Sequence, residues 1–331
     1  MSIRGHRCPL SVHTDLALEA HEATIGTQSE QQGVRVTTEE FPGGSITRVV
    51  VENELGASRL GKPVGTYITI EAPGLREHDL ELRQAASQVL AQELAAILPS
   101  TQGGSTLVVG LGNWNVTPDS LGPRVVEELL VTRHLFQYAP QFVDEGMRSV
   151  CALAPGVLGI TGIETSDIIF GVVEKVKPTA VIAIDALAAR SMDRLCTTIQ
   201  VTDAGIAPGS GVGNKRRPLN QDSLGVPVIA VGVPSVVYAN TIVLDALDKM
   251  TDGIQQASAG QQGLPGMLVA LTDQERGQLV QEVLRPYWGD LVVTPKETDE
   301  QIRQMSKVIA GGLNVALQPG LETSDTLRYL Q

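Results

Sequence analysis

The stretch VIAIDALAAR, residues 181–190, decides the fold class that we predict for this sequence. Its first four residues, Val181 to Ile184, are apolar and mostly β-branched, as is typical of a strand that is buried on both faces. Asp185 follows, and we expect its carboxylate at the end of that strand. A strand buried on both faces needs parallel neighbours and covering helices, so the flanking sequence should alternate between short apolar runs and helical patterns.

The flanking sequence shows this alternation. Further buried strands are predicted at STLVVGLG (residues 105–112) and VPVIAVGVP (residues 226–234), and helices are predicted at residues 122–136 and 164–177. Helices in such positions serve as crossovers between parallel strands. The predicted fold class is therefore α/β, with a mostly parallel sheet and helices on both faces.

The segments around this core differ in character. Residues 34–71 are rich in β-branched residues and are divided by a Pro-Gly-Gly turn, which predicts a smaller, antiparallel β-rich region near the N-terminus. Residues 1–30 are polar and irregular, and we interpret them as a tail. The other predicted parts are a helix at 77–98, a core at 105–240, a Gly/Gln-rich loop at 251–266, and a helical C-terminal portion at 273–331 with helices at 273–284 and 298–316.

Composition narrows the classes of function. The chain has 331 residues, of which 42% are hydrophobic and 19% charged, and its net charge of -12 disfavours nucleic acid as a partner. Its apolar runs are shorter than the roughly 18 residues of a membrane span, and its N-terminus lacks the apolar centre of a secretory signal. Three widely spaced cysteines, Cys8, Cys151 and Cys196, suit a reducing compartment. These features predict a cytoplasmic protein that binds neither nucleic acid nor membrane.

Two aspartates are candidates for chemistry. Asp119 follows the predicted strand 105–112, and Asp185 ends the predicted strand 179–184. If these strands are neighbours, the two carboxylates converge and share one proton, because like charges at close range cannot both ionise cheaply. The ionised member then takes a proton from water, and the protonated member donates to a carbonyl oxygen, which suits amide hydrolysis. The alternative is structural: each aspartate simply caps the turn or helix that follows it.

A glycine-rich segment, PGSGVGNKR (residues 208–216), resembles a phosphate-binding loop but lacks the GxxxxGK[ST] order, so a loop that lines a cleft is the preferred interpretation. A nucleotide-binding or scaffold module that uses residues 209–217 is the non-enzymatic alternative. Lys215, Arg216 and Arg217 form a basic cluster that is either a solvated face or a site for acidic side chains or a neighbouring subunit. HExxH is absent, and the last histidine is His134, which excludes a zincin.

Six segments together resemble the germination protease family of endospore-forming bacteria. The resemblance covers nearly the whole chain, and its motifs are VHTDLALEA (12–20), GLGNWNVTPDSLGP (110–123), PGVLGITGIETSDIIFGVVEKVKP (155–178), IAIDALAARS (182–191), GIAPGSGVGNKR (205–216) and VTPKETDEQIRQMSKVIAGGLNVAL (293–317). The resemblance implies an endopeptidase, homotetrameric and made as a zymogen, that degrades small acid-soluble spore proteins in the spore core during germination. It also implies a pair of catalytic aspartates, which the motifs place at Asp119 and Asp185.

Family members cut after an acidic residue in a Thr-Glu-(Phe/Ile)-Ala sequence, and Thr14-Asp15-Leu16-Ala17 is similar to this target. We therefore expect self-processing between Asp15 and Leu16, which removes a pro-segment, residues 1–15, from a single domain, residues 16–331. The loop at 209–214 is expected to supply backbone N–H groups to substrate or oxyanion, from the residues Gly209, Ser210, Gly211, Gly213 and Asn214.

The core also resembles, more distantly, the hydrogenase maturation endopeptidases, through GLGN, Asp119 and the Asp185-Ala186 pair. Those enzymes use a later histidine to bind nickel, and this chain has none after His134. We therefore expect hydrolysis without a metal or other cofactor. An endopeptidase in which carboxylates hold a divalent ion is the alternative.

Overall fold

The computed structural model describes residues 14–25, 30–31, 33–77, 79–99, 104–143, 146–207, 217–244, 246–247, 250, 280, 282 and 291–319. The strands in these parts of the chain are β1 (Glu30–Gln31), β2 (Val34–Phe41), β3 (Gly44–Val51), β4 (Gly65–Glu71), β5 (Ser105–Gly110), β6 (Ser149–Leu153), β7 (Ala180–Ala189), β8 (Thr198–Thr202), β9 (Val228–Tyr238) and β10 (Val292–Val293). The helices are α1 (Ala17–Ile25), α2 (Glu54–Leu60), α3 (Leu80–Ile97), α4 (Leu121–Glu127), α5 (Arg133–Tyr138), α6 (Leu158–Thr161), α7 (Thr165–Val176), α8 (Gln221–Leu224) and α9 (Thr298–Leu317).

All these strands belong to one mixed sheet, in the order β1-β2-β3-β4-β8-β9-β7-β5-β6, with β10 paired to the end of β9. Strands β9, β7, β5 and β6 are parallel to one another, and the pairings from β1 through β8 to β9 are antiparallel. The α/β class and the antiparallel strands within 34–71 are confirmed. The prediction of a mostly parallel sheet was only partly right: the core strands are parallel, but β4 pairs with β8 and so joins the antiparallel strands to the same sheet.

Helices cover both faces of the parallel strands, as predicted. Ile182 and Ile184 of β7 belong to the hydrophobic cluster that also contains residues of α3, α4 and α9. Val181 and Ala183 belong to the opposite cluster, which contains Ile169 of α7. This division follows from the alternation of side chains along a strand, which sends neighbouring residues to opposite faces.

Helix predictions were partly right. The helices expected at 77–98 and 298–316 are α3 and α9, whereas the helix expected at 122–136 is divided into α4 and α5. The division occurs because backbone groups between the two helices bond elsewhere: the N–H of Leu130 donates to Asn314 Oδ1 at 2.9 Å, and the N–H of Thr132 donates to the Val150 carbonyl at 2.9 Å. The predicted loop at 251–266 lies outside the described residues, and so does most of the helix at 273–284.

The interpretation of residues 1–30 as a tail was wrong for residues 14–25, which include α1. Leu16 and Ala17 are completely buried. Leu16 packs with Leu187 and Leu195, and Ala17 packs with residues of β2 to β4. The sequence of this segment contains enough apolar residues for one short buried face, but their partners lie far away along the chain. Within the part of the chain that the structure describes, no helix is both long and apolar enough to cross a membrane.

Candidate functional site

The site lies where β7 extends beyond its neighbour β5. The pairing between these strands ends at Gly110 and Ile184, while the pairing of β7 with β9 continues to Ala189. Asp185 is therefore inside β7 rather than at its end, which corrects the prediction, yet it is the first residue after the pairing with β5 stops. From Asp185 onwards, β7 has an edge that β5 does not cover.

Asp185 is held in a nearly buried position. It is 8% exposed, and its Oδ1 accepts a hydrogen bond from the N–H of Ala186 at 2.9 Å. Its backbone neighbour in β9 is Gly232, where a Cβ atom would lie 2.5 Å from the Leu187 side chain, so the absence of a side chain there makes room for Leu187. The Asp185 carboxylate is therefore largely shielded from bulk water.

Asp119 reaches the same region through the loop after β5. The N–H of Leu111 donates to the Ile184 carbonyl at 2.8 Å, and the N–H of Asn113 donates to the Asp119 carbonyl at 2.9 Å. The first hydrogen bond joins the loop to the residue before Asp185, and the second joins it to Asp119 itself. Gly112 lies between the two donors. Gly112 has φ of 113° and passes so close to Asp119 that a Cβ atom there would lie 2.0 Å from the Asp119 carbonyl oxygen. The loop therefore requires glycine at this position.

Gly122 permits a second close approach at the start of α4. A Cβ atom at this position would lie 2.3 Å from the Leu111 carbonyl oxygen and 2.7 Å from the Ile184 carbonyl oxygen. Asp119 itself ends the 3-10 turn Thr117–Asp119, and Ser120 occupies the N-cap position of α4. The N-cap alternative for Asp119 is therefore wrong, although the carboxylate does precede a helix.

Asp119 and Asp185 both line one cavity of about 700 Å³. Thr14 and Asp15, which precede the predicted processing bond, line the same cavity. The remaining wall includes Lys62, Tyr67, Ala186, Leu187, Ala188, Gln200, Ile206, Ala207, Pro218, Gly232 and Val292. The structure thus brings the two predicted aspartates and the predicted target sequence to a common cavity.

The segment at Asp15 is docked on the open edge of β7. The N–H of Asp15 donates to the Ala188 carbonyl at 2.9 Å, and the N–H of Ala188 donates to Asp15 Oδ2 at 2.8 Å. The first bond is the kind that an added strand makes with a sheet edge, and the second binds the acidic side chain itself. Leu16, on the other side of the predicted bond, is completely buried.

The Asp15 carbonyl is bound by two side chains that the sequence analysis did not select. Lys62 Nζ donates to this oxygen at 2.9 Å, and Gln200 Nε2 donates to it at 3.1 Å. Burial lowers the pKa of Lys62, although the negative charges of Asp15 and Glu19 oppose that shift. The only signal in the sequence was a polar Gln inside the β-branched run TTIQVT, which predicts a buried polar group with a specific partner.

Glu19 fixes α1 and the segment before it. Its carboxylate is 2% exposed and accepts hydrogen bonds from the backbone N–H groups of Arg190 at 2.7 Å and Ser191 at 2.9 Å. Thr14 Oγ1 donates to the same carboxylate. Arg194 Nη1 lies 3.3 Å away and also binds Glu22. These contacts hold the helix, and with it Thr14 and Asp15, against the turn after β7.

The predicted glycine-rich loop lies outside the described residues, with Gly209, Ser210, Gly211, Gly213 and Asn214, and so do Lys215 and Arg216. The described residues on either side of it, Ala207 and Pro218, line the cavity. Arg217 stacks on the ring of Phe170 at 4.1 Å. Among the residues that the structure describes, no group of three or more His, Cys, Asp or Glu side chains is placed to hold a metal ion.

Comparison with known proteins gives a consistent family. The family model described as germination protease matches residues 12–262 and 248–330. The chain is 50% identical over 324 residues to a germination protease of Clostridium acetobutylicum, covering 97% of this chain and 99% of that protein. It is 52% identical over 322 residues to one of Caldanaerobacter subterraneus subsp. tengcongensis (97% and 98% covered) and 46% identical over 356 residues to one of Bacillus cereus (96% and 97% covered). The chain therefore belongs to the germination protease family, whose members are proteases of spore germination.

Proposed function

We propose that the chain is an endopeptidase that degrades small acid-soluble spore proteins during germination, that Asp119 and Asp185 carry the reaction, and that the chain is made as a self-processing zymogen. The observation that carries the proposal is the shared cavity, in which both aspartates accompany Thr14 and Asp15. A segment similar to the target sequence is thus placed beside the residues proposed to cut it.

The mechanism follows from the two carboxylates. Whichever of Asp119 and Asp185 is ionised takes a proton from water, and the water oxygen attacks the carbonyl carbon of the residue before the cleaved bond. The other aspartate is protonated and acts as a hydrogen-bond donor to the peptide group that is cleaved. The nearly buried position of Asp185 strengthens these interactions, because charges interact more strongly where water is excluded.

Contacts in the site also support the proposed preference for an acidic residue before the cleaved bond. The Asp15 carboxylate accepts a hydrogen bond from the N–H of Ala188 and lies near the Lys62 ammonium, which it affects electrostatically. A spore protein that docks on the edge of β7 in place of residues 14–15 would present its own acidic side chain to the same two groups. A neutral residue there would leave the Lys62 charge without this compensation.

Asp119→Asn and Asp185→Asn test the aspartate pair. Each substitution keeps the size of the side chain and one acceptor oxygen, so both variants should fold, whereas cleavage of a purified small acid-soluble spore protein should fall by at least about 1,000-fold. Asp167→Asn, on the exposed side of α7, is the matched control and should cleave normally. Near-normal cleavage by either active-site variant would refute the assignment, and loss of activity after exhaustive chelation would favour the metal-dependent alternative.

Self-processing has a separate test. The full chain should lose residues 1–15 on incubation, so that N-terminal sequencing of the active enzyme begins at Leu16. The Asp119→Asn chain should remain intact under the same conditions. An intact Met1 in fully active enzyme would refute the zymogen part of the proposal and leave the aspartate pair to be judged by the first test.

A further inference from the structure

We infer that Lys62 and Gln200 are the carbonyl-binding residues of the cleavage site, and that they stabilise the oxygen on which negative charge develops when the bond after Asp15, or after the equivalent residue of a substrate, is cut. This inference rests on the proposed function, because it takes the Asp15–Leu16 bond as the bond to be cleaved.

The geometry is that of a pair of donors on one oxygen. Lys62 Nζ and Gln200 Nε2 lie 2.9 Å and 3.1 Å from the Asp15 carbonyl oxygen, within the range expected for oxyanion-binding donors. The same two side chains bind the main chain on both sides: Lys62 Nζ donates to the Thr14 carbonyl at 3.1 Å, and Gln200 Oε1 accepts from the N–H of Ala17 at 2.7 Å. They therefore fix the peptide across the predicted cleavage point.

The charge of Lys62 makes the arrangement more useful in the transition state than in the ground state. Before reaction, its ammonium donates to neutral carbonyl groups, and burial lowers its pKa by more than the charges of Asp15 and Glu19 raise it. When the Asp15 oxygen becomes negative, the same contact becomes an ion pair. An interaction that strengthens only as the reaction proceeds lowers the barrier rather than simply tightening binding.

Binding of the carbonyl oxygen by Lys62 and Gln200 changes the roles of the two aspartates. The sequence argument gave the protonated aspartate the task of polarising the carbonyl oxygen, but Lys62 and Gln200 already occupy the two lone pairs of the Asp15 oxygen. The protonated aspartate is then available to the leaving nitrogen. Water adds to the carbonyl carbon and loses a proton to the ionised aspartate, while the C=O electron pair moves to the oxygen. The electron pair on the oxygen then re-forms the C=O bond and the C–N bond breaks. The Leu16 nitrogen takes the proton of the other aspartate.

Lys62→Met is the direct test, because it keeps the aliphatic stem and removes the charge. In the full chain, the rate constant for cleavage between Asp15 and Leu16, followed by intact mass, should fall about 100-fold or more, as for loss of one oxyanion donor. Against a quenched fluorescent peptide that carries residues 12–20, added in trans, kcat should fall by a similar factor, and KM should rise by much less than kcat falls. Lys175→Met, on the exposed end of α7, removes an equal charge and should leave both rates unchanged.

Gln200→Glu gives a second test if Lys62→Met destabilises the fold. It keeps the oxygen that accepts from Ala17 but replaces the donor to the Asp15 carbonyl, so cleavage should slow at least about tenfold. Circular dichroism and thermal unfolding identify variants that have not folded. Cleavage by folded Lys62→Met within threefold of the unchanged chain would overturn the inference without affecting the aspartate pair. A chain that cuts the peptide but never itself would refute self-processing and still permit the comparison in trans.

Discussion

Replacing Glu19 by Gln should loosen the docking of α1 and with it the hold on the cleavage segment. The carboxylate of Glu19 accepts hydrogen bonds from two backbone N–H groups, of Arg190 and Ser191, and is 2% exposed. Gln retains one acceptor oxygen, but its amide nitrogen is a donor. One of the two N–H groups is therefore left facing another donor in a buried position.

The magnitude follows from these contacts. A buried donor without an acceptor costs about 1–3 kcal/mol, and weakening of the contact between Glu19 and Arg194, 3.3 Å before the change, brings the total to about 2–4 kcal/mol. Glu22 provides the matched control, because it lies on the same helix and pairs with the same guanidinium but has a side chain that is 50% exposed. Glu22→Gln should therefore cost less than about 1 kcal/mol.

Hydrogen exchange of the amides in α1 is the assay. At 1.4 kcal/mol for each factor of ten, Glu19→Gln should speed this exchange by about 30- to 700-fold, and Glu22→Gln by less than about fivefold. Self-processing between Asp15 and Leu16 should slow in the first variant and not in the second. Equal exchange in the two variants would refute the reasoning, because the buried carboxylate would then not be what holds the helix.

Three further outcomes test the site and the core. Gly112→Ala should cost about 1–3 kcal/mol in urea unfolding and abolish proteolysis, because it strains a backbone with φ of 113° and collides with Asp119. The control Gly171→Ala, in open space on α7, should instead stabilise the fold by up to about 1 kcal/mol. Asp15→Ala removes the carboxylate that accepts from β7, so self-processing, measured by intact mass, should slow roughly 10- to 100-fold. Burial raises the pKa of Cys196 to about 12, so iodoacetamide at pH 8 should label this thiol only after unfolding. The free energy of unfolding should fall as pH rises above the ordinary thiol pKa, because only the unfolded chain then ionises at Cys196.

The parts of the fold that could be predicted depend on local pattern. The buried run before Asp185 and the amphipathic periods of α3 and α9 each come from adjacent residues, and each was found where expected. The continuation of β7 past Asp185 could not be predicted, because the residues after it are ordinary small apolar residues. Their extended conformation is maintained by pairing with β9.

In the site, too, some residues could be predicted from local sequence and others could not. The sequence selected Asp119 and Asp185 as polar residues that follow apolar strands, and the parallel neighbours β5 and β7 bring them to one cavity. Lys62 has no such local signal, and Gln200 has only that of a polar residue inside a β-branched run. They meet at the Asp15 carbonyl because β4, which begins just after Lys62, pairs with β8, which contains Gln200, and because α1 docks residues 14–16 beside both.

By itself, then, the sequence determined the α/β class, the family and the aspartates that line the cavity, since each depends on short patterns of residue type along the chain. The tertiary structure alone decided that the sheet is mixed, that β7 leaves an open edge, and that a segment interpreted as a tail lies buried there with its Asp15 carbonyl bound by two distant side chains. The physical reason is that hydrogen bonds between strands and the burial of Leu16 join residues far apart in sequence. Their energies depend on which elements become neighbours, and no local pattern encodes that choice.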